Sequence, residues 1–201
     1  MRKILLFSLF ILLTGCYPDG PEYTDELDSV YTNYSPDFNF SQTYTYSLPD
    51  GVIDVSGSQN FNPDFIDTNF SNAIINSLRT NLNAQGWTEV DENDDPDIIV
   101  LAAAMDSNFL YYSVDWWGWY YPGYFPGWGW YYPGYFPTYV SGFSVGTVVI
   151  QMTSPSGIVD NQVPVEWVCV VNGLLEGSDA YIIDRIDTNI DQAFMQSPFN
   201  N

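Results

Sequence analysis

The sequence predicts a single α+β domain, an antiparallel or mixed sheet of about four strands packed by two amphipathic helices, in the order β-α-β-insert-β-β-α. Two segments repeat apolar residues at steps of four, Ile66-Phe70-Ile74-Leu78-Leu82 and Ile182-Ile186-Ile190-Phe194, the stripe of a helix with one buried face. Apolar runs at Ile98–Ala104, Phe143–Met152 and Val163–Leu175 read as strands. Between them Trp116–Pro137, built from Trp, Tyr, Pro and Gly, fits neither pattern and reads as an insert.

Residues 1–15 carry the marks of a lipoprotein signal peptide. Arg2 and Lys3 precede an apolar run from Ile4 to Leu13, and Leu13-Thr14-Gly15-Cys16 sets small residues before a cysteine, the pattern cut by the lipoprotein signal peptidase. The run is too short to cross ~30 Å of hydrocarbon. Lipid on Cys16, and through it a membrane partner, is therefore expected, with a location at the bacterial outer membrane on either its periplasmic or its exposed side. Residues 16–30, rich in Pro, Gly and acids, read as a tether. Acids directly after the lipid cysteine resemble the export signals of surface lipoproteins in some Bacteroidetes. The domain proper then spans 31–197, and a mature chain of 186 residues (201 − 15) suits one core.

The first strand falls in Asn39–Leu48, where Phe40 and Thr43 to Tyr46 supply β-branched and aromatic residues, closed by the turn signal Leu48-Pro49-Asp50-Gly51. Val52–Gln59 reads as either a short strand or a loop. Asn62 and Pro63 then suit the cap and first position of a helix. Gly86 ends it with an αL residue, and Trp87 can fold back on Leu82. Asp91–Asp97 lacks the alternating acids and sixth-position glycine of an EF-hand loop and reads as a solvated connection. Ile98–Ala104 follows as a strand covered on both faces, with continuation through Phe109–Val114 left open. After the insert, Phe143–Met152 and Val163–Leu175 form a hairpin around Ser154-Pro155-Ser156-Gly157. Ser178 caps the second helix and Pro198 stops it.

The insert is a tandem repeat of period 11, since Trp117–Pro126 recurs identically as Trp128–Pro137. Each copy holds Tyr-Pro-Gly-Tyr, with Pro and Gly where a type II turn wants them, so a helix or a long strand is excluded. Its rings form the candidate binding surface: Trp116, Trp117, Trp119, Tyr120, Tyr121, Tyr124, Trp128, Trp130, Tyr131, Tyr132 and Tyr135. They could stack on sugars, sit among lipid headgroups, or dock an envelope protein. The tract could also be a neutral low-complexity expansion with no ligand. Contact with a protein or glycan partner is expected. An insert short of aliphatics is poorly suited to filling a core, so removing Trp116–Pro137 is expected to leave the domain folded and to abolish only binding.

Charge and missing residue types narrow the function further. Without the signal the chain keeps two bases, Arg79 and Arg185, against 25 acids, a formal charge of 2 − 25 = −23. Nucleic acid is excluded as a partner, because phosphates need Lys and Arg. The absence of His removes Ser-His and Cys-His nucleophiles and the commonest zinc ligands, and the mature chain has no Lys for a Schiff base. Cys169, in an apolar run, reads as a core thiol. No metal or cofactor is expected. A carboxylate pair acting as a glycan hydrolase is the enzymatic alternative, but a chain this acidic will hold suitably spaced pairs by chance. No hydrolase turnover is expected.

Several short motifs carry a family resemblance. Ser35-Pro36-Asp37-Phe38 with Phe40 to Tyr44, Gly86-Trp87, Asp95 to Val100, Gly146 to Ile150 and the later Trp167 together resemble domain of unknown function family 4136 across most of residues 31–197. Its bacterial lipoproteins often carry Gly, Tyr and Trp at the same middle position. The resemblance implies the fold, an envelope location and an accessory or binding role, and no catalytic residue. This chain departs by having Gln151 where an acid is common, and by lacking a basic residue after the strand tryptophan.

Overall fold

The computed structural model describes residues 29–55, 64–105, 129–132 and 146–199. In chain order the elements are β1 (Ser29–Tyr34), β2 (Thr45–Ser47), β3 (Ile53–Asp54), α1 (Thr68–Ala84), β4 (Thr88–Glu89), β5 (Ile98–Met105), β6 (Gly129–Tyr131), β7 (Thr147–Thr153), β8 (Gln162–Asn172) and α2 (Asp179–Met195). The expectation of about four strands is an understatement, because the described residues form eight in one mixed sheet. All four expected strands are present. Those added, β1, β3, β4 and β6, are two to six residues long, too short to show a period.

The order across the sheet is β1-β8-β7-β5-β2-β4, with β3 also beside β5 and β6 beside β8. β1, β8, β7 and β5 run antiparallel to one another in that order, while β2 and β3 pair in parallel with β5, β4 with β2, and β6 with β8. Asn39–Leu48 contributes only the three residues of β2, and Phe40 instead plugs the core. Leu48-Pro49-Asp50-Gly51 does not turn the chain back. Ser47 faces Ile99 and Ile53 faces Ala103, six residues against four, so this stretch is a two-residue bulge between pieces lying along the same edge of β5. Proline is tolerated there because it withholds no needed donor. Asp97 fastens the start of that edge, its carboxylate accepting from both the amide and the hydroxyl of Thr45 at 2.8 and 2.7 Å.

Alternation along β5 sends Ile98, Val100, Ala102 and Ala104 to one face and Ile99, Leu101, Ala103 and Met105 to the other; all eight are buried. The first face meets α1 and α2 through Ile74, Leu78, Leu82, Ile182, Ile186 and Ile190, each 3 % exposed or less. At its end six rings, Tyr34, Phe38, Phe40, Tyr44, Phe194 and Phe199, join Trp87 and Trp167 in one cluster. The near-terminal Phe199 lies 5.0 Å from Phe40, 5.9 Å from Trp87 and from Trp167, and 4.7 Å from Phe194, measured between ring centroids. The second face gathers Ile53, Ile99, Leu101, Met105, Val149, Val163, Val165, Val168 and Val170.

α1 starts later than its sequence suggests. Asp67, not Asn62, is the cap, and its carboxylate accepts from the Asn69 amide at 2.8 Å. The preceding residues are held extended: Ile66 N–H donates to Val52, Asp54 N–H donates to Asp64, and Phe65 bridges Ile53. Asn62 and Pro63 lie outside the described residues. The other end is as expected. Gly86 has φ +78°, Trp87 N–H returns to the Leu82 carbonyl and Gly86 N–H to that of Asn83, the two bonds of a Schellman motif. Since Ile74 is fully buried midway along this helix, Ile74→Ala should cost roughly 2–5 kcal/mol. An unchanged melting temperature would contradict that placement.

β1 takes in Ser29 and Val30, the last residues assigned to the tether, and lies along β8 from Ser29 opposite Asn172 to Tyr34 opposite Trp167. Gln196, the C-cap of α2, donates to the Val30 carbonyl at 3.0 Å.

Candidate functional site

The insert joins two strands that pair directly. Met105 faces Thr147 across an antiparallel ladder, so the 41 intervening residues (147 − 105 − 1) are a hairpin connection. Within it Gly129, Trp130 and Tyr131 pair in parallel with Gln162, Val163 and Pro164 at the start of β8. Strand alternation then decides what each ring does. Trp130 and Tyr132 turn inward and pack on the second face, while Tyr131 points outward and is 61 % exposed. The expectation that the insert stands clear of the core therefore fails for Trp130 and Tyr132. Trp116, Trp117, Trp119, Tyr120, Tyr121, Tyr124, Trp128 and Tyr135 lie outside the described residues, as does Cys16.

Tyr132 is held by a residue that the sequence made conspicuous. Gln151, 2 % exposed in the middle of β7, donates from Nε2 to the Tyr132 hydroxyl at 2.5 Å. A neutral amide gives this buried site a donor without the desolvation cost of a carboxylate. Burial pushes the Tyr132 phenol up to about 12, the Gln151 bond opposing it, and burial does the same for Tyr46 on the other face. Both phenols hold their proton more tightly folded than unfolded. Their contribution is therefore complete below pH 10 and lost as pH rises towards 12. Thermal melts of Tyr132→Phe and Tyr46→Phe should lose less stability across that window than the parent protein.

Two features of the β7–β8 hairpin shape the surface around Tyr131. Asp160 and Asn161 have φ +51° and +61°, and Val159 and Gln162 exchange both backbone hydrogen bonds, which makes a type I′ turn at the tip. The Asn161 carbonyl also accepts from Gly129, seating β6 against that tip. Lower down, Met152 faces Trp167 but Thr153 faces Val165, so Glu166 is the extra residue of a β-bulge. Its carbonyl accepts from Ser35 at 2.8 Å, bringing the segment after β1 alongside.

Two clefts result, and both are walled by Tyr131 and Pro164. One, of about 320 Å³, continues along Gly157, Val159, Asp160 and Gln162; the other, of about 200 Å³, runs along Ser35, Asp37, Phe38, Val165 and Glu166. Of this constellation only Tyr131 was singled out in the sequence. Asp160-Asn161 at the hairpin tip is a turn signal that could have pointed to Asp160 and Gln162; Asp37 stands in a motif of the family resemblance without a role attached, and nothing local marks Glu166.

Cations are engaged elsewhere. Arg79 bonds Glu89 through Nε and Nη2 at 2.6 and 2.9 Å, and Asn76 through Nη1. Arg185, 6 % exposed, donates to the carbonyls of Gly173, Leu174 and Glu176 and lies 4.7 Å from the Tyr181 ring centre. Asp91 to Asp95 form an exposed turn in which Asn93 N–H donates to Asp91, holding that carboxyl below its ordinary range. Among the described residues no three potential ligands gather to hold a metal ion, and no helix is long and apolar enough to cross a membrane. Cys169 is fully buried, and burial pushes its thiol far above the ordinary range.

A mixed sheet with two helices on one face, its central hairpin opened by a long insert, defines a small α+β domain. The model of the domain of unknown function DUF4136 matches residues 30–199, and the chain belongs to that family. It is similar to the crystal structure of a DUF4136 family protein from Bacteroides thetaiotaomicron, with 25 % identity and a TM-score of 0.64, covering 86 % of this chain and 96 % of that one. Two looser likenesses are a PDZ domain protein from Parabacteroides distasonis (17 % identity, TM-score 0.45, 87 % of this chain and 37 % of that one) and the PelC dodecamer from Paraburkholderia phytofirmans (8 %, 0.40, 83 % and 94 %). No curated protein matches the chain.

Proposed function

We propose that this protein is a non-enzymatic, lipid-anchored envelope protein that binds a partner through the aromatic insert. The reading is carried by one observation: Trp130 and Tyr132 pack on the sheet, and Tyr131 between them stands 61 % exposed beside two clefts. An exposed aromatic between partly buried, packed neighbours has less conformational freedom to lose on binding. The address is supported by the basic start, the apolar run and Leu13 to Cys16. The want of His and mature Lys, with the one remaining thiol buried, supports a binding role over catalysis.

Two measurements test this reading. Mass spectrometry of protein from its native host should find the chain beginning at a lipid-modified Cys16, and Cys16→Ala should leave the membrane fraction; an intact Met1 would overturn the address. A photoreactive phenylalanine in place of Tyr131, irradiated in the native envelope, should form a covalent adduct with a protein or a glycan. If position 131 yields none while the domain stays folded, the insert is a neutral expansion.

A further inference from the structure

We propose that the two clefts beside Tyr131 form one continuous binding site for a glycan chain without acidic groups. The Tyr131 ring would be the stacking platform, and Asp160, Gln162, Asp37 and Glu166 the partners of the sugar hydroxyls. The inference deepens the binding role above and rests on it.

The shape of the site favours a chain of linked units. Both clefts share Tyr131 and Pro164 but are otherwise walled by different segments, the hairpin tip on one and the Ser35–Phe38 turn with the Glu166 bulge on the other. A ligand lying over the ring meets both. The larger cleft, about 320 Å³, is at the small end for ligand sites and the other, about 200 Å³, falls below it, so neither alone would take more than a small unit. Each cleft combines an apolar wall (Val159 and Pro164, or Phe38 and Val165) with carboxylate or amide groups. A sugar ring is matched in the same way, with a C–H face for the aromatic and hydroxyls at its edge for acceptors. A protein hot spot would instead offer a pocket for an apolar anchor with its charges excluded.

Charge sets the class of sugar. Among the described residues the clefts hold three carboxylates, from Asp37, Asp160 and Glu166. The cations among the described residues, Arg79 and Arg185, are held by Glu89 and by backbone carbonyls. Uronates, sulfates and phosphates would therefore meet like charge with nothing to offset it.

The experiment titrates the full-length protein, in detergent, with maltohexaose, cellohexaose, the hexamer of N-acetylglucosamine and, as the acidic probe, hexagalacturonate, using calorimetry. Binding of at least one of the first three is expected, with none of the fourth. Tyr131→Ala should weaken it about tenfold, Tyr131→Trp should retain it, and Asp160→Asn or Glu166→Gln should weaken it several-fold. Thermal melts of the Tyr131 variants check that the fold persists. Tighter binding of hexagalacturonate, or affinity indifferent to Tyr131→Ala, would overturn the proposal. So would failure of all neutral probes at millimolar concentration. Should the photoreactive residue at 131 capture an envelope protein while every oligosaccharide fails, the glycan inference falls and the binding role stands; absence of both signals removes both.

Discussion

Phe199→Ala should lower stability by about 3–5 kcal/mol, and ending the chain at Ser197 should do at least as much. Phe199 is 6 % exposed and touches Phe40, Trp87, Trp167 and Phe194, so its ring joins the N-terminal turn, the α1–β4 corner, β8 and α2. Truncation would leave four aromatic side chains around a void that no neighbour is placed to fill. For a domain of this size the loss corresponds to roughly 6–20 °C in melting temperature. The domain limit of residue 197 inferred from the sequence would instead predict almost no change. A melting temperature of the truncated protein within about 2 °C of the parent would show that limit to be right and the ring cluster to be peripheral.

The second large effect concerns the insert. Replacing Trp116–Pro137 with a short turn should preserve the β5–β7 ladder, because Met105 and Thr147 already face each other, and circular dichroism should report the strands intact. The second face would nonetheless lose Trp130 and Tyr132 from above Val163, Val165, Val168 and Val170. An uncovered aliphatic face of this kind binds hydrophobic dyes and associates. The milder pair Trp130→Ala with Tyr132→Ala should cost about 3 kcal/mol and produce the same dye binding, whereas Tyr131→Ala should do neither. Deletion that leaves both melting temperature and dye binding unchanged would restore the insert to a purely external role.

Legibility in the sequence followed segment length and locality. Helix stripes at Ile74-Leu78-Leu82 and Ile182-Ile186-Ile190 repeat over several turns, so their buried faces could be read directly, as could the Gly86-Trp87 stop. Ile98 to Met105 announced a strand buried on both faces by being apolar throughout. What escaped was short or decided by distant partners. β3 and β4 have two residues each, and β1 begins within the last two residues of the acidic stretch that reads as a tether. The α1 cap moved from Asn62 to Asp67 because Asp64 to Ile66 are claimed by backbone bonds to Val52 and Asp54, which no local propensity reports. Within the repeat, Trp130 and Tyr132 pack on the sheet while Tyr131 is exposed, a division that no local pattern reports. That division depends on the pairing of Gly129 to Tyr131 with β8, some thirty residues on. Asp37 and Glu166 come to line a cleft with Tyr131 only through that topology.

The wiring of β1 to β8 bears on the order in which the molecule can assemble. The first described strand finds its partner in the last, with Ser29 opposite Asn172, and Phe199 seals the rings from still further along. Closing contacts so remote in sequence is slow, since the chain entropy is lost before the pairing is gained. A polypeptide emerging N-terminus first would hold β1 without its ladder until β8 had followed, and an exported precursor of the kind proposed here has to cross a membrane as an extended polymer. In such a precursor the β1–β8 pairing would delay completion of the sheet until β8 had crossed as well.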